Sequence, residues 1–271
     1  MQLTDFSPSS LRKVILDMAS DRAGHLACAF SLVEIFSAIY SRNLLKFNPK
    51  NPLDPERDIL ALSKGHGAMA LYACLYQLGW INKNEINNYF LDGSNLFGLA
   101  EDTTPGVEIS GGSLGNGLPV AVGIAYGYKN KENHILCIIG DGELNEGSIW
   151  ESIQFAGHHQ LSNLTIIIDA NKYQAMGLTK EIINLEPLDN KFISFGFEYH
   201  ECNGHNIEEI TDTIQHCKKS SLPTIIVART IKGAGVDFME NDNTWHYSRL
   251  NDPDLLNKAL EQINAGRIPG T

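Results

Sequence analysis

The residues best placed to do chemistry sit in IIGDGELNEG and, thirty residues after Asp141, in IIIDANKYQ, which carries Asn171. Short apolar, β-branched runs lead into both stretches, and Gly147 to His159 between them has helical spacing, so the segment reads as a βαβ unit. A right-handed crossover returns two parallel strands to the same carboxyl edge, where Asp141 and Asn171 converge. Two oxygen ligands and a backbone carbonyl near Tyr173 suit magnesium, a hard ion usually held by one or two protein groups together with phosphates. Gly140 and Gly142 permit close backbone approach, and the N-terminus of the following helix turns N–H groups toward an anion. Asp-Gly is equally at home in a structural βα turn, so this pair alone leaves both readings open. A dinucleotide site fits poorly, because neither GDGELN nor GNGLPV supplies the third glycine of G-x-G-x-x-G, and no phosphate loop of the G-x-x-x-x-G-K-[ST] type occurs.

Two further stretches place histidines beside glycines at helix breaks: RAGHLACAF with His25 and SKGHG with His66. Imidazoles here could donate hydrogen bonds or move protons. A histidine chosen from the nine is more often a surface or packing residue, but the glycines beside His25 and His66 favour function. His158 and His159 close a helix, where the dipole favours them. His200-Glu201 with His205 has the wrong spacing for an H-E-x-x-H zinc helix. Those four receive no catalytic role.

The elements that must position these residues alternate. Leu11, Val14, Ile15 and Met18 share one helical face, with Ser9 or Ser10 as N-cap, and Leu32, Ile35, Phe36, Ile39 and Tyr40 repeat at helical spacing after a break at Gly24-His25. A Pro- and Asp-rich connector, a short apolar run and SKGHG follow, then a helix from Met69 to Leu78. Leu91 to Gly117 is glycine-rich and irregular, as binding loops are, and ends in GGSLGNG before the helix LPVAVGIAYGY. His134 to Ile139 and Leu164 to Asp169 are strands, as are Phe197 to Glu201 and TIIVART, with a helix from Ile207 to Lys218. The remaining tail is polar with little periodicity. The class is α/β, with a mainly parallel sheet carrying helices on both faces. No repeat or linker interrupts residues 1–271, which are expected to form one domain.

Length and composition narrow the function classes. The 271 residues carry 21 Lys+Arg against 32 Asp+Glu, a formal charge of −11, and no basic run, so neither nucleic acid nor an anionic membrane is an expected partner. Apolar residues make up 43%, yet no run reaches the length of a membrane span. Five scattered cysteines, none in Cys-x-x-Cys spacing, and an N-terminal stretch without an apolar block point to a reducing compartment, the cytoplasm.

GDGELNEG followed by NKYQ resembles the thiamine diphosphate motif, and the surrounding blocks resemble the N-terminal half of transketolase. RAGHLACAFSLVEIFSAIY, LSKGHGAMALYACLYQLG, PGVEISGGSLGNGLPVAVGIAYG, GDGELNEGSIWESIQFAGHHQLSNL and TIKGAGVDFME occur in that family's order and cover nearly the whole chain. The resemblance implies a thiamine diphosphate-binding fold that transfers a two-carbon ketol unit from a ketose, usually a phosphate, to an aldehyde. It implies that Asp141, Asn171 and the main-chain oxygen of Tyr173 hold magnesium, or calcium or manganese in its place. His66, Gly140 and Gly142 would face the diphosphate. Gly112, Ser113, Leu114 and Gly115 would line the thiazolium and aminopyrimidine, and His25, His66 and His246 would serve substrate and catalysis. Glu146 resembles an interface glutamate, although a first-turn helix acid is an equal reading.

The family's pyrimidine-binding domain, with the glutamate that activates the cofactor, would begin where this sequence stops. A separate C-terminal subunit supplying it, in an assembly with two copies of each chain, is therefore expected. Leu99 stands where many transketolases carry a substrate-facing histidine, and Leu-Ala-Cys follows His25 in place of a glycine-rich continuation. Those departures leave open a specialised enzyme acting on an unusual sugar or delivering the two-carbon unit to a carrier-bound lipoyl group. A noncatalytic scaffold is the alternative of another class.

Overall fold

A computed structural model describes residues 5–270. The helices are α1 (Pro8–Ala19), α2 (Leu26–Phe30), α3 (Val33–Ser41), α4 (Ala68–Leu78), α5 (Lys83–Asn87), α6 (Gly117–Gly127), α7 (Gly147–His158), α8 (Thr179–Ile182), α9 (Asp189–Ser194), α10 (Ile207–Cys217) and α11 (Pro253–Asn264). The strands are β1 (Ile59–Leu62), β2 (Ile135–Gly140), β3 (Leu164–Ala170), β4 (Tyr173–Gln174), β5 (Gly177–Leu178), β6 (Glu198–Asn203) and β7 (Thr224–Arg229). Five of them form one parallel sheet in the order β1-β2-β3-β7-β6, and β4 and β5 make a short antiparallel hairpin just past the end of β3.

Sheet strands β1, β2 and β3 are buried along their whole length, so they read as continuous apolar runs and alternation is visible only in where each side chain goes. Leu60, Leu136, Ile138, Ile167 and Ile226 join a core with α1, α3, α4 and α10. Their neighbours Ile59, Cys137, Ile166, Ile168 and Val227 join a second core with α6, α7 and α9. Two apolar layers thus clamp the sheet, leaving its carboxyl edge for polar groups.

Two sequence expectations are corrected. The N-cap of α1 is Ser7, whose Oγ accepts from the Ser10 amide at 3.3 Å, because Pro8, lacking an N–H and fixed in φ, opens the helix earlier than Ser9 or Ser10. The tail holds the twelve-residue α11, capped by Asp252, whose carboxylate accepts from the amides of Asp254 and Leu255. Leu255, Leu256, Ala259, Leu260 and Ile263 recur on its inner face, an apolar stripe diluted to the eye by the charged residues opposite.

Candidate active site

A cleft of about 310 Å³ opens at the carboxyl ends of β2 and β3. Gly140 is level with Asp169 across these strands, so Asp141, one residue further out, and Asn171, two residues further out, stand together at its edge. Asp141 accepts from the Gly142 amide at 2.8 Å and from the Lys172 amide at 2.6 Å. Asn171 Oδ1 accepts from the Tyr173 amide at 3.1 Å, and its Nδ2 donates to Asp169 at 3.1 Å. Burial, with Asp169 close by, pushes the Asp141 carboxyl up to about 6. A divalent cation at this edge would favour its ionised form. Gly142 leaves the edge open, since a Cβ there would sit 2.7 Å from Gln174 Cγ.

Beneath this edge lies a polar floor. Asp169 has no solvent exposure and is ion-paired with the equally buried Lys64. It also accepts from Ser31 Oγ at 2.7 Å and from the Thr230 hydroxyl. Burial alone would raise the Asp169 carboxyl, but Lys64 and these hydroxyls hold it below its usual range; burial would lower Lys64, but Asp169 holds it above. Both stay charged.

Glu143 is a third buried acid of the site, in the 3₁₀ turn Gly142–Asn145. It accepts from Ser63 Oγ at 2.5 Å, the Gly115 amide at 2.9 Å and the Gly140 amide at 3.2 Å. One carboxylate therefore joins the end of β1, the GGSLGNG loop and the end of β2.

The opposite wall carries three histidines. His25 caps α2, His66 lies in the turn Gly65–Gly67 after β1, and His246 follows the turn Asn243–Trp245. The His25 ring is 5.7 Å from His66 and 5.4 Å from His246, centroid to centroid. Burial depresses all three, His25 and His246 to about 4 and His66 well below its usual value, with Lys64 and Lys232 adding to it. They are neutral at physiological pH, able to donate and accept hydrogen bonds without adding charge. Lys232, fully buried, donates to Asn243 Oδ1 at 2.5 Å and lies 2.7 Å from His246 Nδ1. His246 Nδ1 is thereby the acceptor, leaving its proton on Nε2. His25 Nδ1 is buried with no hydrogen-bond partner, a capacity a ligand could use.

Of the residues singled out from sequence, His25, His66, Gly112, Leu114, Gly140, Asp141, Gly142, Asn171, Tyr173 and His246 line this cleft, and Leu99 joins them. Three others lie off its surface. Ser113 is exposed, Gly115 turns its amide to Glu143, and Glu146 is exposed at the N-cap of α7, making no side-chain capping bond. Sequence reasoning missed Lys64, Glu143, Asp169 and Lys232. Asp169 left a signal, since a charge closing a buried apolar strand must have partners, but those partners come from distant segments.

Residues 8–263 match the family model for the transketolase thiamine diphosphate binding domain. The chain belongs to the transketolase family. It is 42% identical over 253 residues to an apulose-4-phosphate transketolase subunit of Actinobacillus succinogenes, covering 92% of this chain and 91% of that one. Against the 6-deoxy-6-sulfo-D-fructose transketolase subunit SqwG of a Clostridium species, identity is 38%, with 93% of each chain covered. The transketolase structure from Campylobacter jejuni superposes with a TM-score of 0.88 at 32% identity, over 97% of this chain but 43% of that chain. The chain thus spans about two fifths of the solved transketolase and nearly all of the proteins named as subunits.

Proposed function

We propose that this chain is the thiamine diphosphate-binding subunit of a two-subunit transketolase, which moves a two-carbon ketol unit from a ketose donor to an aldehyde acceptor. The observation that carries the reading is coverage: similarity to proteins named as transketolase subunits extends over 91% and 93% of their lengths. A second polypeptide, in two copies alongside two of this one, supplies the pyrimidine-binding domain and its glutamate. The cytoplasm suits five free, buried cysteines. Among the described residues no helix is long and apolar enough to cross a membrane.

The residues present fit the cofactor. Asp141 and Asn171 offer a hard cation two oxygens, joined by the Tyr173 carbonyl, and magnesium is the ion that matches a diphosphate there. Gly142 provides the close approach the diphosphate needs, with His66 and Gly140 beside it. Gly112, Leu114 and the loop through Ser113 and Gly115 face the rings, and Glu146, exposed on α7, is placed for the second polypeptide. Bound thiamine diphosphate supplies a carbon nucleophile and an electron sink for carbon–carbon cleavage. The protein's own task is to hold and orient. His25 Nδ1 is free for a hydroxyl of the sugar, and His246 Nε2–H is available as a donor. The buried Lys232 ammonium adds positive potential for an anionic sugar.

Two measurements test this reading. The chain, purified gently from its own cells, should bring down a stoichiometric second chain together with thiamine diphosphate, and Asp141→Ala should lose magnesium-dependent retention of the cofactor. Unchanged retention in that variant, or enzyme-like ketose turnover by the wild-type chain alone, would overturn it.

A specialised substrate is favoured by Leu99. An apolar side chain lines the cleft there and cannot donate the hydrogen bond of the histidine that many transketolases carry. A panel of ordinary, branched and sulfonated ketose donors, read by mass spectrometry, decides it. Best activity with xylulose and ribose phosphates counts against specialisation.

A further inference from the structure

At the far end of the sheet from the cleft, three metal-ligating side chains meet on the face covered by α10. Glu198 and His200 are two residues apart on the edge strand β6 and therefore point the same way. His216 comes down from the last turn of α10. Glu198 pairs with Thr224, the first residue of β7, whereas the cleft lies beyond Asp169, which pairs with Ala228 further along β7. The two places are at opposite edges.

Both imidazoles aim the same ring nitrogen at one oxygen: His200 Nε2 is 2.9 Å and His216 Nε2 3.1 Å from Glu198 Oε1. One atom from each of the three residues lies within 4.8 Å of the others. The carboxylate is fixed from behind by Ser220, whose Oγ donates to Glu198 Oε2 at 2.5 Å. That hydrogen bond, with help from the two histidines, holds the Glu198 carboxyl below its ordinary range, so it is ionised at neutral pH. Supports of this kind behind a ligating carboxylate orient metal ligands.

From this juxtaposition the geometry points to a second metal site, in which Glu198, His200 and His216 bind one zinc ion and staple α10 to the edge strand β6. A tetrahedral zinc with bonds of about 2.0–2.1 Å keeps its ligand atoms about 3.3 Å apart. The observed 2.9 and 3.1 Å separations from Glu198 need to open by a few tenths of an ångström, and the two ring nitrogens, within 4.8 Å of each other, to settle at the same spacing. On binding, each imidazole shifts its proton from Nε2, where it faces Glu198, to Nδ1, so that the Nε2 lone pair takes the ion, and a water completes the fourth position. Imidazole nitrogens select zinc over the hard magnesium of the cleft. His216 is 65% exposed, giving the ion a route in and tolerating replacement.

The test is a zinc titration of the full chain, with thiamine diphosphate and excess magnesium present to occupy the cleft, read by a competing chromogenic chelator and by thermal unfolding. Wild type should bind one zinc with micromolar affinity or tighter and gain about 5 °C in Tm when zinc is well above its Kd. His216→Ala and His200→Gln should each weaken this binding at least tenfold, while His246→Gln should leave it intact. His216→Ala alone decides the matter if His200→Gln fails to fold. No zinc bound by wild type at 10-fold excess over protein, or the same zinc affinity in His216→Ala, would reduce the trio to a hydrogen-bonded surface cluster.

Discussion

Lys64 and Asp169 form an ion pair with no solvent exposure at the floor of the cleft, and Asp169 also receives the Asn171 side chain at 3.1 Å. The pair thus ties a residue just after β1 to the asparagine just after β3.

Removing one partner strands the other. Asp169→Ala leaves a buried ammonium and takes the acceptor from Ser31, Thr230 and Asn171, whereas Lys64→Met leaves a carboxylate that keeps those three donors. Asp169→Ala should therefore cost roughly 3–5 kcal/mol and Lys64→Met less. Urea denaturation ranks them, and the reverse order would refute this account of the floor.

Glu143 should matter to the glycine loop as well as to stability. Glu143→Leu removes the acceptor from Ser63 Oγ and from the Gly115 and Gly140 amides and leaves these buried donors unpaired, at about 1–3 kcal/mol each. The Gly115 amide, 2.9 Å from Glu143 Oε1, should then exchange its hydrogen at least tenfold faster. Unchanged exchange at Gly115 would show that the loop is held by other contacts.

At Gly65 the limit is space. A Cβ there would lie 2.2 Å from the Gly111 carbonyl oxygen, backbone against backbone. The Ala100 amide bonds to Gly65 O at 3.0 Å and the Gly111 amide to Ala100 O at 2.8 Å, so Gly65→Ala must displace the cleft-lining loop. The expected result is a loss of about 1–3 kcal/mol and at least tenfold weaker thiamine diphosphate binding by calorimetry. Wild-type affinity in this variant would contradict the proposed cofactor position.

Stability falls in acid through a buried histidine. Burial depresses His134 to about 4 from 6.5. Between those values the unfolded chain binds the proton and the folded one does not, so stability falls as the pH drops from about 6.5 to about 4, by on the order of 3 kcal/mol from this group. His25 and His246 act in the same sense, and Asp141, raised to about 6 from 3.8, in the opposite one. The His134 ring stands apart from the cleft, its Nε2 lying 2.9 Å from Thr165 Oγ1, so His134→Gln should flatten the slope of unfolding free energy against pH in this window. Parallel slopes for the two proteins would exclude the assignment.

The βαβ unit and the place of Asp141 and Asn171 were legible because they follow from local rules. Continuous apolar strands, a crossover helix and right-handed connection send two strand ends to one edge whatever packs around them. Helix α11 could have been read too, since Asp252-Pro253 is a start signal and its apolar stripe is regular; the charged face hid it.

Other relationships lie outside any local pattern. Lys64 meets Asp169 from 105 residues away, and Glu143 reaches Ser63 from 80. His200-Glu201 with His205 lacks helical zinc spacing, and the His200 ring meets His216 across a strand–helix contact, 5.1 Å between centroids. Sequence by itself determined that Asp141 and Asn171 stand at one strand edge and that the class is α/β, because periodicity and connection handedness are short-range constraints. Only the tertiary structure decided which buried charges neutralise one another and which histidines share a wall, because those pairings depend on how helices distant in sequence dock on the two faces of the sheet.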